Sequence, residues 1–289
     1  MKELSKLALQ IEPSATMAID TMFKQMKADG IDVIGFGAGE PDFPTPLSVK
    51  ESGIQAIENN DTRYTPASGS VELRKAIAAR LKADYNLSYE FNQIAVSNGA
   101  KPCVCVALQV LINPGDEIIL PAPYWVSYLE LIRMLGGVPV IVDASEEDNF
   151  KITGETLQAA ITPKTKAIIF NNPSNPTGMI YSKDELVEIG NVCVKNEVYI
   201  ISDEIYSNLV YNGTFHAMAS LSDSIKQYTL TINGVSKSYA MTGWRIGYIA
   251  AVGDLARVIA NYLSHSTGSP CTISQKAAAF ALSEPQDSV

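Results

Sequence analysis

Histidine is the scarcest reactive residue in this chain: only His216 and His265 occur among 289 residues, and neither has a partner at metal-ligand spacing. No metal site is expected from them. Cysteine is also sparse. Cys103, Cys105, Cys193 and Cys271 form no disulfide framework, Cys103-Val-Cys105 is not a zinc spacing, and all four read as buried thiols. The sequence contains neither Gly-x-Ser-x-Gly nor Ser-x-x-Lys, which disfavours a serine hydrolase, and no Walker pattern, so a nucleoside triphosphate is not the obvious ligand. Basic residues are outnumbered, 22 Lys and Arg against 31 Asp and Glu, giving a net charge of −9 spread along the chain. Such a surface repels phosphate backbones, and no nucleic-acid partner is expected. No apolar run is long enough to span a bilayer, and the amino end lacks the apolar core of a secretion signal. The expectation is a soluble, cytoplasmic protein with no membrane partner.

What is present is a globular composition, 46% hydrophobic and 18% charged, in which apolar runs and helical periods alternate. Strands are expected over residues 31–36, 93–97, 117–120, 138–142, 167–170, 198–202, 229–232 and 246–250. Helices are expected over 71–82, 101–112, 125–134 and 183–195, the last with Ser182 and Glu185 spaced as a capping box. Alternating strands and helices imply an α/β fold, a mainly parallel sheet covered on both faces. Ligands on such sheets sit beyond the carboxyl ends of the strands. Residues 14–27 carry a separate helical period, followed by the proline-rich crossing Glu40-Pro-Asp-Phe-Pro-Thr-Pro46, and this helix is expected to pack outside the main domain.

The richest chemistry lies in Asn233-Gly-Val-Ser236-Lys237-Ser-Tyr-Ala-Met241-Thr-Gly243-Trp244-Arg245-Ile-Gly247. A lysine partly desolvated in such a turn loses proton affinity and can condense with a carbonyl, while Arg245 offers a planar anion site. Taken alone, both are equally surface charges at a turn. Gly35-Phe-Gly37-Ala-Gly39 resembles part of a dinucleotide fingerprint, but the prolines that follow block the required helix and no nicotinamide site is expected. Asn98-Gly99-Ala100-Lys101 leads a strand into a helix, where free N–H groups suit a phosphate or simply make a turn. Asp203 ends a buried strand and needs a partner, a protonated ring nitrogen or a local donor. Asn175-Pro-Thr-Gly178 is a tight turn with an amide to offer. Trp125 can lie against a planar ring or belong to the core.

In joint order, these loops resemble the fold-type-I pyridoxal-phosphate enzymes, in particular the class I aminotransferases of the bacterial aspartate aminotransferase branch. The resemblance runs through Pro13-Ser-Ala-Thr16, Gly-Ala-Gly39-Glu-Pro-Asp-Phe, Tyr64-Thr-Pro-Ala-Ser-Gly69, Pro-Tyr-Trp125-Val-Ser-Tyr, Asn175-Pro-Thr-Gly, Ser202-Asp-Glu-Ile-Tyr206 and Ser236-Lys-Ser-Tyr-Ala-Met-Thr-Gly-Trp-Arg245. It implies a three-layer αβα large domain over residues 39–289, with residues 1–38 an arm belonging to a small domain that is mostly absent. It implies pyridoxal 5′-phosphate held as a Schiff base on Lys237, with Asp203 at the ring nitrogen and Asn175 and Tyr206 at the phenolic oxygen. Trp125 would stack on the ring, and Gly99, Ala100, Lys101 and Arg245 would surround the phosphate. Tyr64 would reach the phosphate of a second subunit, hence a homodimer. Gly39, Trp125 and Asn175 would line the substrate, with Lys101 and Ser14 candidates for its distal carboxylate.

The implied reaction moves the amino group of aspartate to 2-oxoglutarate. Aromatic or alanine aminotransferase and β-lyase remain alternatives within the fold, and a truncated, non-catalytic cofactor-binding module is the alternative of a different functional class. Members of the family continue for about another small domain that carries the arginine clamping the substrate α-carboxylate. The expectation is therefore a chain shortened at its carboxyl end that keeps its cofactor contacts better than its substrate contacts. Glu12 stands where relatives that accept prephenate carry a basic residue, which disfavours prephenate.

Overall fold

The computed structural model describes all residues except Met1, Lys6 and Ala38, and the side chains of all but Gln10 and Ser288 among the rest. Among these residues seven strands form one sheet in the order β1-β7-β6-β5-β4-β2-β3. They are β1 Ile94–Ser97, β2 Glu117–Ala122, β3 Val138–Asp143, β4 Thr165–Asn171, β5 Tyr199–Asp203, β6 Thr229–Gly234 and β7 Gly247–Ala250. Strands β2 to β6 run parallel to one another, and β7 is antiparallel to both β6 and β1. The sheet is mainly parallel, as expected, and its single reversed strand makes it mixed.

The pleat sends alternate side chains to two apolar layers. On one face α4 (Ala100–Leu111), α5 (Ser127–Met134) and α9 (Gly253–His265) cover Ala95, Ile118, Ile201, Leu230 and Ile232. On the other face α3 (Val71–Tyr85) and α10 (Thr272–Ser283) cover Ile94, Val96 and Ala250, and α6 (Gly154–Ala160), α7 (Lys183–Lys195) and α8 (Asp223–Tyr228) cover Ile168, Phe170 and Ile200. Ile118, Ile168 and Ile201 are fully buried, and truncating any of them to alanine would cost about 3 kcal/mol. The α7 capping box forms as expected, with Ser182 N donating to Glu185 Oε2 at 2.6 Å and Glu185 N to Ser182 Oγ at 3.4 Å.

Three expectations are corrected. Residues 31–36 form no strand: no neighbour offers them a ladder, and Ile34 and Phe36 are 79% and 94% exposed. They lie instead along α1 (Ala15–Ala28), where a Cβ on Gly35 would meet the Phe23 ring at 2.7 Å. Cys271 is exposed at the start of α10 rather than buried, while Cys103 and Cys193 are buried. The helix expected from Trp125 begins at Ser127, which leaves the tryptophan in the preceding loop. Helix α1 has no buried residue. Helix α2 (Leu47–Glu58) follows directly on the proline-rich crossing and packs against α10.

Candidate active site

The loops at the carboxyl ends of β1, β4, β5 and β6 converge, and glycines set how closely they approach. Gly99, at φ 104°, turns β1 into α4 in a conformation closed to side chains, and an added Cβ would collide with the Arg245 guanidinium. From β7, Gly247 presses on the same turn, where a Cβ would lie 2.5 Å from Ala100 N. The first N–H groups of α4 therefore open towards the sheet edge beside Arg245, which is a place for an anion. Arg245 takes a left-handed backbone (φ 58°) and donates to Thr242 O at 2.7 Å and Asn98 O at 3.1 Å.

Asp203, the last residue of β5, is 3% exposed. Its Oδ2 accepts from Tyr128 Oη at 2.8 Å and its Oδ1 from Ile205 N at 3.2 Å. Burial pushes its carboxyl up to about 6 against these two donors, which favour the ionised form. No lysine or arginine pairs with it among the described residues. Asn171 donates from Nδ2 to Asp203 O at 2.9 Å and accepts from Asn175 N at 2.7 Å. Asn175 Nδ2 in turn donates to Tyr206 Oη at 3.3 Å. The Tyr206 phenol is held above its ordinary range by burial, with the Asn175 bond opposing.

Lys237 lies in the turn after β6 and is half-buried. Its Nζ donates to Gly39 O at 2.5 Å and lies 5.8 Å from the centre of the Tyr206 ring. Burial lowers its proton affinity; Glu40 opposes that and Arg245 adds to it. The proline-rich crossing is tied to the same turn. Thr242 Oγ1 donates to Glu40 Oε1 at 2.6 Å, Thr45 Oγ1 to Ala240 O at 2.6 Å, and Trp244 Nε1 to Thr45 Oγ1 at 3.1 Å.

Lys101 Nζ sits 4.7 Å from the centre of the Trp125 ring, a cation–π contact. Burial, then Arg245, lowers the proton affinity of that amine. Lys237, Asp203, Asn175, Tyr206, Arg245, Gly99, Ala100, Lys101, Trp125 and Gly39 thus share one edge of the sheet. Two expected residues make no hydrogen bond to this group among the described residues. Ser14 caps α1, accepting from Met17 N, and is exposed. Tyr64 is fully exposed in a recess of about 750 Å3 that it shares with Arg63, Pro270 and Cys271. Sequence reasoning assigned no role to Tyr128 or Asn171. A tyrosine three residues past Trp125, at the first turn of a helix, is the available signal for the former; nothing in the sequence marks the latter.

The residues fit pyridoxal phosphate. A buried carboxylate without a basic partner suits a protonated ring nitrogen, the α4 start with Arg245 suits a phosphate, and a lysine of lowered proton affinity suits an aldehyde. Comparison with known proteins agrees. Residues 31–289 match the family model described as aminotransferase class I and II. An aspartate aminotransferase of Bacillus sp. strain YM-2 is 50% identical over 291 residues, covering 100% of this chain and 74% of that protein. The solved aspartate aminotransferase of Rhizobium meliloti superposes with a TM-score of 0.95 at 39% identity, covering 99% of this chain and 72% of that one. The aspartate aminotransferase of Thermus thermophilus solved with maleate gives a TM-score of 0.95 at 39% identity, with 98% and 73% covered. With half of its residues shared over its whole length and the same fold, the chain belongs to the class I and II aminotransferases.

Proposed function

We propose that this pyridoxal-phosphate-dependent transaminase takes the amino group of aspartate and delivers it to 2-oxoglutarate. The observation that carries the reading is the meeting of a half-buried Lys237, the Tyr206–Asn175 pair and the buried Asp203 at one sheet edge. The cofactor supplies an aldehyde that bonds an amine and a ring that takes up the electron pair released at the substrate α-carbon.

The chain's own residues bind and move protons around that chemistry. Lys237 Nζ, its proton affinity lowered by burial, would hold the aldehyde and would serve as the base that takes the substrate α-proton and returns it. Asp203, ionised at neutral pH with a value of about 6, would keep a proton on the ring nitrogen. Asn175 and Tyr206 would hold the phenolic oxygen, Arg245 and the N–H groups of Ala100 and Lys101 would hold the phosphate, and Trp125 would pack on the ring. Gly39 contributes a backbone donor to the substrate carboxylate. Lys101, and with it the hydroxyl of Ser14, addresses the distal carboxylate. Support for a four-carbon dicarboxylate comes from the names of the relatives and from the maleate of the Thermus enzyme.

Tyr64, exposed and sharing its recess with none of the phosphate residues, is assigned to the phosphate of a second copy, which makes the working unit a homodimer. Residues 1–38 are assigned to a small domain on the ground that α1 buries none of its residues. The four free thiols support a cytoplasmic setting. Borohydride reduction with added pyridoxal phosphate, followed by intact mass and peptide mapping, tests the reading. One cofactor mass fixed on Lys237 is expected, and wild-type protein that gains none would overturn it.

A further inference from the structure

On the face of the sheet away from Tyr128, three side chains join the Lys237 turn to the Tyr206 turn. Asn233, near the end of β6 and 5% exposed, accepts from Gly234 N at 2.7 Å through Oδ1. Its Nδ2 donates to Ser207 Oγ at 3.0 Å. Ser207 directly follows Tyr206 and is 6% exposed. The Tyr85 hydroxyl, at the end of α3, lies 2.9 Å from Ser207 Oγ and 3.1 Å from Asn208 Oδ1.

A phenol has one proton, and Asn208 Oδ1 can only accept. The Tyr85 proton therefore serves Asn208, the Ser207 hydroxyl donates to Tyr85, and Asn233 donates to Ser207, so each donor has its own acceptor. The arrangement is stiff at both ends. The Tyr85 ring meets Phe215 edge-on at 5.3 Å, and a Cβ on Gly234 would lie 2.7 Å from Ile246 O. Beyond Gly234 the turn is closed by Tyr239 N donating to Val235 O at 3.2 Å and Met241 N to Ser236 O at 3.2 Å. A displacement at Gly234 is thus passed on to Lys237.

We infer that Asn233 is a positioning residue for the lysine chemistry: with Ser207 and Tyr85 it fixes the separation of Lys237 Nζ from Tyr206. The inference rests on the proposed function for its meaning, but its geometry is independent of any bound group. Asn233 touches neither functional side chain. If it merely closed a buried polar space, its loss would lower stability and leave the amine unchanged.

The test compares Asn233→Ala, Ser207→Ala, Ser207→Thr and Tyr85→Phe with the wild type. The first measurement uses cofactor-free protein: trace acylation of Lys237 by acetic anhydride as a function of pH, read by mass spectrometry. Asn233→Ala and Ser207→Ala are expected to move the midpoint of that profile by about half a pH unit or more, and Tyr85→Phe by less in the same direction. Ser207→Thr, which keeps the hydroxyl, should restore the wild-type midpoint. In cofactor-loaded protein kcat should fall about tenfold in the first two variants, with KM within about twofold.

Midpoints within about 0.2 units of wild type in all variants that fold, whatever the melting temperatures, would overturn the inference. Ser207→Ala, which removes a single oxygen, carries the test if Asn233→Ala does not fold. Because acylation is read without cofactor, wild-type protein that fixes no pyridoxal phosphate would sink the proposed function and leave this comparison intact.

Discussion

Asp203 and Glu204 are neighbours in the chain that end up on opposite faces of the sheet, and the two faces treat a buried carboxyl differently. Towards α5, Asp203 has a donor on each oxygen, Tyr128 Oη and Ile205 N. Towards the other face, Glu204 Oε1 accepts from Ser202 Oγ at 2.9 Å and Met218 N at 3.0 Å, while Oε2 is buried with no partner. Burial pushes Asp203 up to about 6 and Glu204 up to about 8. At neutral pH the first is therefore ionised and the second is not. Both groups are buried and each accepts from two donors; the Asp203 charge beside it raises Glu204 further. The face towards α5 carries the ionised carboxyl, the other face a protonated one.

The sharpest way to break this division is at the chemical face. Lys237→Ala should abolish the borohydride-fixed cofactor mass and lower transamination by at least about 10^4-fold, measured with aspartate and 2-oxoglutarate. Removing charge from each carboxyl in turn should then divide the faces. Asp203→Asn is expected to reduce kcat about 10^3-fold and Glu204→Gln by no more than about threefold, and equal losses would erase the distinction.

A third comparison is thermodynamic. The Glu204 carboxyl rises from an ordinary 4.5 to about 8 on folding. The folded chain thus keeps a proton that the unfolded chain releases, and stability is full below pH 4.5 and lost as pH rises through 8. Glu204→Gln mimics the protonated acid. In urea titrations of cofactor-free protein its stability should gain on wild type between pH 5 and pH 8 by on the order of 3 kcal/mol; a gap independent of pH would refute the protonated glutamate. The smallest effect belongs to Tyr128→Phe. Losing a donor to the ionised form raises the Asp203 carboxyl further, so the acid limb of the kcat profile should move to higher pH by about half a unit.

Much of this was open to sequence reasoning because periodicity reports which side of an element is buried. The strands from β1 to β7 and the Ser182 cap are local patterns, and Lys237, Asp203, Asn175 and Tyr206 sit at strand ends that the α/β alternation already places on one edge. What failed was non-local. Residues 31–36 alternate well enough for a strand, but a strand needs a free neighbouring edge; instead the backbone at Gly35 passes beside Phe23 of α1 and Ile34 and Phe36 stay exposed. The exposure of Cys271 depends on where the 266–271 loop runs, which composition does not encode. Tyr128 and Asn171 act through Asp203, across 75 and 32 residues of chain. Glu204 reads as an ordinary surface acid until its partners are seen. Contacts of that separation leave no period behind.

The meeting of Gly99 and Gly247 has an evolutionary and practical corollary. Main chain rests on main chain there, with a Cβ on Gly247 only 2.5 Å from Ala100 N, so no compensating change of side chain elsewhere can make room. A library randomised at both positions together and selected for growth on the enzyme's product should return the parental pair almost alone, leaving this spot closed to engineering while the loops around it stay open to redesign.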